Sequence, residues 1–171
     1  MRNIGKIFST SLIVGGVLAA SLAIAGAASA GQKHWSKTFH GKNGGSATIT
    51  RDLSRQPGER SRRTSITTSN GFSRENSVTE RRDRDAGTAS RSRNRSTTFR
   101  DGTSRFTNMT ATRDRASQSR TRSVERGYRD GTTASRRDSI TRVDKGVFDV
   151  SRERTNRQGI TRSWSGTFTR N

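Results

Sequence analysis

Thr97 to Phe106 reads TTFRDGTSRF, an Asp-Gly pair set between two runs of strand-forming residues. Asp-Gly is among the strongest short signals for a two-residue type I′ hairpin loop, because both central positions need a positive φ that Gly and Asp tolerate. With Asp101 and Gly102 as the loop, Arg100 faces Thr103, Phe99 faces Ser104, Thr98 faces Arg105 and Thr97 faces Phe106. Alternation along each strand then puts Phe99 and Phe106 on one face and Arg100 and Arg105 on the other.

The same punctuation recurs along the chain. Gly44, Gly58, Gly71, Gly87, Gly102, Gly131, Gly146 and Gly159 follow at about fifteen residues, with Ala116 filling one expected position. Such a period signals a repeat architecture. Asn43, Asn70, Asp101 and Asp130 precede four of these glycines, and Pro57-Gly58 makes a further turn. A Lys145-Gly146 loop sets Val143 against Phe148, Arg142 against Asp149 and Thr141 against Val150. A two-residue loop at Asn70-Gly71 is less regular, since it places Ile66 and Phe72 on opposite faces.

The two ends of the repeat region share a motif, WSKTF at 35–39 and WSGTF at 164–168, and read as atypical capping strands. In the last one Ile160, Arg162, Trp164 and Phe168 share a face. Thr161, Ser163, Ser165, Thr167 and Thr169 line the other. No apolar residues recur at helical spacing, even in the Arg- and Ser-rich stretch from Ser117 to Arg126. The expected fold is therefore all-β, a repetitive antiparallel β-meander of eight to ten short strands with about fifteen residues per repeat.

Its core is expected to be thin. Only 26% of the 171 residues are apolar, against a formal charge of +20, and ordering each residue costs about 1–2 kcal/mol. A largely disordered basic chain is the competing expectation. Self-association, a ligand or a surface would complete so thin a sheet.

Residues 1–30 have the pattern of a secretory signal peptide. Arg2 and Lys6 precede an uncharged apolar run ending Ala28, Ser29, Ala30, an A-x-A cleavage site. Cleavage after Ala30 leaves residues 31–171 as one Arg/Ser/Thr/Gly-rich domain, carries the protein to the periplasm or beyond the cell, and lowers the charge from +20 to +18.

Nearly all of that charge is arginine, with lysine in the remaining chain only at Lys33, Lys37, Lys42 and Lys145. The planar guanidinium fork binds phosphate, sulfate and carboxylate through paired hydrogen bonds. Strand alternation makes Arg91, Arg93 and Arg95 a one-sided comb. With Arg100, Arg105, Arg113, Arg115, Arg120, Arg122, Arg136 and Arg137 they are the expected ligand-binding residues. The expected partners are an anionic polymer or an anionic envelope surface: cell-envelope glycans, lipopolysaccharide or extracellular nucleic acid. A self-assembling surface or matrix protein whose sheets pair edge to edge is the alternative.

Enzymatic chemistry is not expected. With no cysteine there is no thiolate nucleophile or disulfide. His34 and His40 have no metal-ligand spacing and no accompanying carboxylate cluster. No G-x-S-x-G elbow or phosphate loop occurs. No cofactor, metal or small-molecule substrate is expected.

Overall fold

A computed structural model describes residues 31–170, so the proposed export segment lies outside the described residues. The described chain is a single ten-stranded sheet: β1 (Gln32–His40), β2 (Ser46–Gln56), β3 (Glu59–Thr68), β4 (Ser73–Asp83), β5 (Thr88–Thr98), β6 (Ser104–Asp114), β7 (Ser119–Gly127), β8 (Thr133–Asp144), β9 (Val147–Thr155) and β10 (Thr161–Thr169). Each strand pairs antiparallel with its sequence neighbours, in the order β1 to β10. The all-β meander read from the turn spacing is the observed fold.

The fifteen-residue period resolves into two turn classes at opposite ends of the sheet. At one end, five turns share one hydrogen-bond pattern. In the β5–β6 turn Phe99 N–H donates to the Thr103 carbonyl at 2.8 Å, and Gly102 N–H donates to the Phe99 carbonyl at 3.0 Å. Turns opening at Gly41, Thr68, Tyr128 and Asn156 repeat it. These loops therefore hold three residues between the closing pair. Gly102 alone takes a positive φ, 76°, while Asp101 does not. This is the glycine-bulge hairpin, the next most common loop after the two-residue form. Asp101 favours it by accepting from Thr103 N–H at 3.1 Å and from Thr103 Oγ1 at 2.6 Å.

The extra loop residue shifts the register by one and overturns the expected pairing. Thr98 faces Ser104, Thr97 faces Arg105, and Ser96 faces Phe106. Phe99 and Phe106 thus lie on opposite faces, and Arg100 sits in the turn. The same shift repairs the Asn70-Gly71 hairpin. Thr68 N–H donates to the Phe72 carbonyl and Ile66 faces Arg74, which puts Ile66 and Phe72 on one face.

At the other end the loops vary. Pro57-Gly58 is a two-residue loop closed by Gln56 and Glu59, with Gly58 at φ 75°; Pro followed by a positive-φ glycine is the type II arrangement. Lys145-Gly146 is also a two-residue loop, closed by Asp144 and Val147, but a bulge between Arg142 and Asp144 changes the pairing beyond it. Arg142 faces Phe148, Thr141 faces Asp149 and Ile140 faces Val150, which corrects the three pairs expected there. The β4–β5 and β6–β7 loops hold four residues each. Asp83 and Asp114 serve them alike, accepting from Asp85 N–H at 3.0 Å and Ala116 N–H at 2.8 Å.

In the β6–β7 loop the residue equivalent to Gly87 is Gln118, not Ala116, and its φ is 49°. A left-handed conformation costs a residue with a Cβ about 1–2 kcal/mol. Gln118→Gly is therefore expected to stabilise the protein by about 0.5–1 kcal/mol after glycine's larger chain entropy is subtracted. The readout is a higher thermal midpoint. An unchanged or lower midpoint would show that this turn carries no strain.

The thin core proves thinner than expected. Among the described residues no hydrophobic side chain is fully buried, and Thr97 is the one buried polar side chain. The sheet is one layer with solvent on both sides. Small apolar contacts reinforce the backbone ladder on one face, including Phe148 stacked on Phe168 at 5.1 Å and Phe72 edge-on to Phe99 at 6.5 Å. Across the middle of that face Leu53, Arg62, Val78, Arg93, Met109, Val124 and Arg136 lie in one transverse row. Arginine stems lie beside apolar groups there while their charged heads remain wet.

Candidate arginine face

The register sorts the charges. Directly opposed residues share a face, so the pairings can be followed from strand to strand across the sheet. Every strand arginine except Arg63, Arg81 and Arg137 falls on one face, together with Lys33 and Lys37. The only strand acids on that face are Glu80 and Asp138. The opposite face is built of Ser and Thr and carries the remaining strand acids.

On the hydroxyl face the charges pair locally. Arg63 Nη2 donates to Glu75 Oε2 at 2.7 Å, Arg81 Nε to Glu59 Oε2 at 2.9 Å, and His34 Nδ1 lies 2.5 Å from Asp52 Oδ1. Arg137 lies opposite Glu153.

On the arginine face like charges stand directly opposed: Arg55 against Arg60, Arg113 against Arg120, and Arg136 against Arg154, which in turn faces Arg162. Neighbouring strands lie about 4.8 Å apart, and residues two apart along a strand about 6.8 Å. The guanidinium heads therefore stand as a two-dimensional array. Asp138 is its main internal counter-charge. It accepts from Arg136 Nε at 2.8 Å and Arg152 Nε at 2.7 Å, and although its partial burial works the other way, these bonds hold its carboxyl below the usual carboxylate range. Glu80 reaches Arg91 Nε at 3.5 Å.

Of the residues singled out in the sequence, Arg91, Arg93, Arg95, Arg105, Arg113, Arg120, Arg122 and Arg136 all lie on this face. Arg137 lies on the hydroxyl face, and Arg100 and Arg115 belong to turns. Arg51, Arg55, Arg60, Arg62, Arg74, Arg82, Arg126, Arg142, Arg152, Arg154 and Arg162 join the array although they are not among the expected ligand-binding residues. Parity along each strand is the signal that finds them, once the loop lengths are right.

The turn arginines have a separate task at the regular end of the sheet. Arg129 forms an ion pair with Asp101, donates from Nε to Thr103 Oγ1 at 3.0 Å and lies over the Phe99 ring at 4.2 Å. Two repeats later, at the next turn of this end, Arg157 does the same, pairing with Asp130, donating to Thr132 Oγ1 at 3.1 Å and covering the Tyr128 ring at 4.3 Å. With the Asn70 amide oxygen turned toward it, Arg100 donates to that oxygen from Nη2 at 2.7 Å. Each of these three turns is thus clasped to the preceding one. Hydrogen bonds from Thr103 and Thr132, followed by the arginine charges, hold the Asp101 and Asp130 carboxyls below their ordinary range.

No family model, curated protein or solved structure matches this chain.

Proposed function

We propose that the protein is an exported, non-enzymatic binder of anionic polymers, and that the arginine face is its binding surface. The observation carrying this reading is the segregation of charge: arginines opposed to arginines on one face, hydroxyls and all strand acids but Glu80 and Asp138 on the other. Like charges directly opposed destabilise a sheet. A phosphate, sulfate or carboxylate lying between two opposed guanidiniums removes that repulsion and accepts charge-assisted hydrogen bonds from both. A polymer carrying many such groups engages many sites at once. Cell-envelope glycans, lipopolysaccharide and extracellular nucleic acid are the ligand classes with this chemistry.

The test compares the two faces using a labelled DNA duplex as the probe and fluorescence anisotropy as the readout. Replacing Arg93, Arg122 and Arg136 by Gln is expected to weaken binding at least tenfold, and to reduce the slope of log affinity against log salt by about one for each phosphate no longer neutralised. Replacing Arg63, Arg81 and Arg137 by Gln removes the same charge from the other face and is expected to change affinity far less. Equal weakening by the two triple variants, or an affinity indifferent to salt, would refute the proposal.

A further inference from the structure

The outer edges of β1 and β10 have no strand beside them among the described residues, and exposed large apolar side chains gather there: Trp35, Ile160, Trp164 and Phe168. We infer that these two edges are complementary and that β10 of one copy pairs antiparallel with β1 of the next, continuing the meander head to tail. The inference is independent of polyanion binding. It rests on three features of the edges.

The first is the phase of the repeat. Gly31 has a positive φ of 110° and accepts from Arg55 N–H at 2.8 Å, as Gly58 accepts from Arg82 N–H and Gly146 from Arg170 N–H, both at 2.7 Å. The chain thus enters β1 in the conformation in which it leaves a turn. Arg170 occupies at the end of β10 the place that Arg55 holds at the end of β2. Since Arg55 faces Arg60, two residues beyond Gly58, continuation of the pattern sets Arg170 opposite Lys33 of the next copy, two residues beyond Gly31.

The second is the side-chain register that this fixes. Antiparallel pairing of Arg170 with Lys33 brings Phe168 opposite Trp35, Gly166 opposite Lys37 and Trp164 opposite Phe39. The WSKTF and WSGTF motifs pair aromatic to aromatic at both ends, and the arginine faces of the two copies run on without interruption.

The third is backbone direction. Gly31 and Gly41 turn their hydrogen-bonding groups toward β2, while Ile160 and Arg170 turn theirs toward β9. Alternation then points the backbone N–H and C=O of His34, Ser36 and Thr38 outward on β1, and those of Ser165, Thr167 and Thr169 outward on β10. In the proposed register these outward-pointing residues are the ones that meet. The aromatic pairs fall at the non-hydrogen-bonded positions, where side chains approach most closely. Two β1 edges paired in the same way would set Lys37 against Lys37, and two β10 edges would set Gly166 against Gly166. Head-to-tail pairing avoids both, its one like-charged pair, Arg170 with Lys33, falling at the end of the strands, and it leaves a free edge at each end of the array on which a further copy can add.

Introduced thiols test the register, since the chain has no cysteine of its own. A non-hydrogen-bonded pair places Cα atoms about 4.5 Å apart, within disulfide range. The purified protein carrying Lys33→Cys and Arg170→Cys is expected to give a ladder of dimers, trimers and higher species on a non-reducing gel after mild oxidation. Each single variant is expected to stay monomeric. So is the pair Lys37→Cys and Arg170→Cys, which the proposed register separates by about 13 Å. Adding Trp164→Ala to the productive pair should suppress the ladder. A productive pair that stays monomeric, stops at dimers or crosslinks no better than the offset pair would overturn the inference.

Discussion

Gly127→Val is expected to lower the thermal midpoint by about 4–8 °C, from a destabilisation of about 2 kcal/mol. Gly127 ends β7 on the hydroxyl face, directly opposite Phe106. A Cβ at this position would collide with Cδ1 and Cε1 of the Phe106 ring, which lies over the glycine. Its φ is not in the left-handed region, so the demand for glycine here is steric. Valine would push the ring into water, and no hydrophobic core elsewhere in the described sheet compensates. Differential scanning calorimetry of Gly127→Val, Phe106→Ser and the double variant would isolate the contact. The double variant should be less destabilised than the sum of the two single changes. Strict additivity would show that the ring does not need the glycine.

Acid is expected to unfold the sheet below about pH 4, the ordinary range of an aspartate. Hydrogen bonds from Thr103, Ser117 and Thr132 lead in holding the Asp101, Asp114 and Asp130 carboxyls low, and Arg152 and Arg136 do so for Asp138 against its burial. A carboxyl with a folded pKa below its unfolded value adds stability at pH above the unfolded value. That contribution is lost as pH falls through the folded one. The three exposed aspartates hold turns and Asp138 holds the middle of the arginine face, so their protonation loosens the turn clasps while the positive charge climbs above +20. Far-ultraviolet circular dichroism between pH 7 and pH 2 should show the strand signal disappearing across that window, and added sulfate should move the transition to lower pH by screening the arginines. A strand signal unchanged at pH 2 would show that these carboxylates do not hold the sheet.

Loop chemistry explains why the turns are legible in the sequence and the faces are not. Glycines at Gly58, Gly71, Gly102 and Gly146 mark turns because a positive φ is a local demand that few other residues meet. Asp-Gly, however, serves a two-residue and a three-residue loop equally well. The choice between them rests on the Thr103 and Thr132 hydrogen bonds to the preceding aspartates and on the arginine that clasps each of these turns from the next turn at the same end. The threonine bonds lie just beyond the dipeptide and the arginine contacts reach across two strands, so neither leaves a mark at the dipeptide itself. An error of one residue in a loop reverses the faces beyond it, which is why a two-residue loop sets Phe106 beside Phe99, whereas the three-residue loop lays it over Gly127.

The amino-acid sequence by itself determined the all-β character, the positions of most turns and the alternation within each strand, because φ preference and two-residue periodicity are properties of neighbouring residues. Only the tertiary structure decided which alternating set of one strand joins which set of the next. That choice gathered all but three of the arginines of β2 through β10 and the lysines of β1 onto one face, and left both edges in phase with the repeat. It depends on hydrogen bonds between residues far apart in the chain, whose geometry is settled when the strands come together.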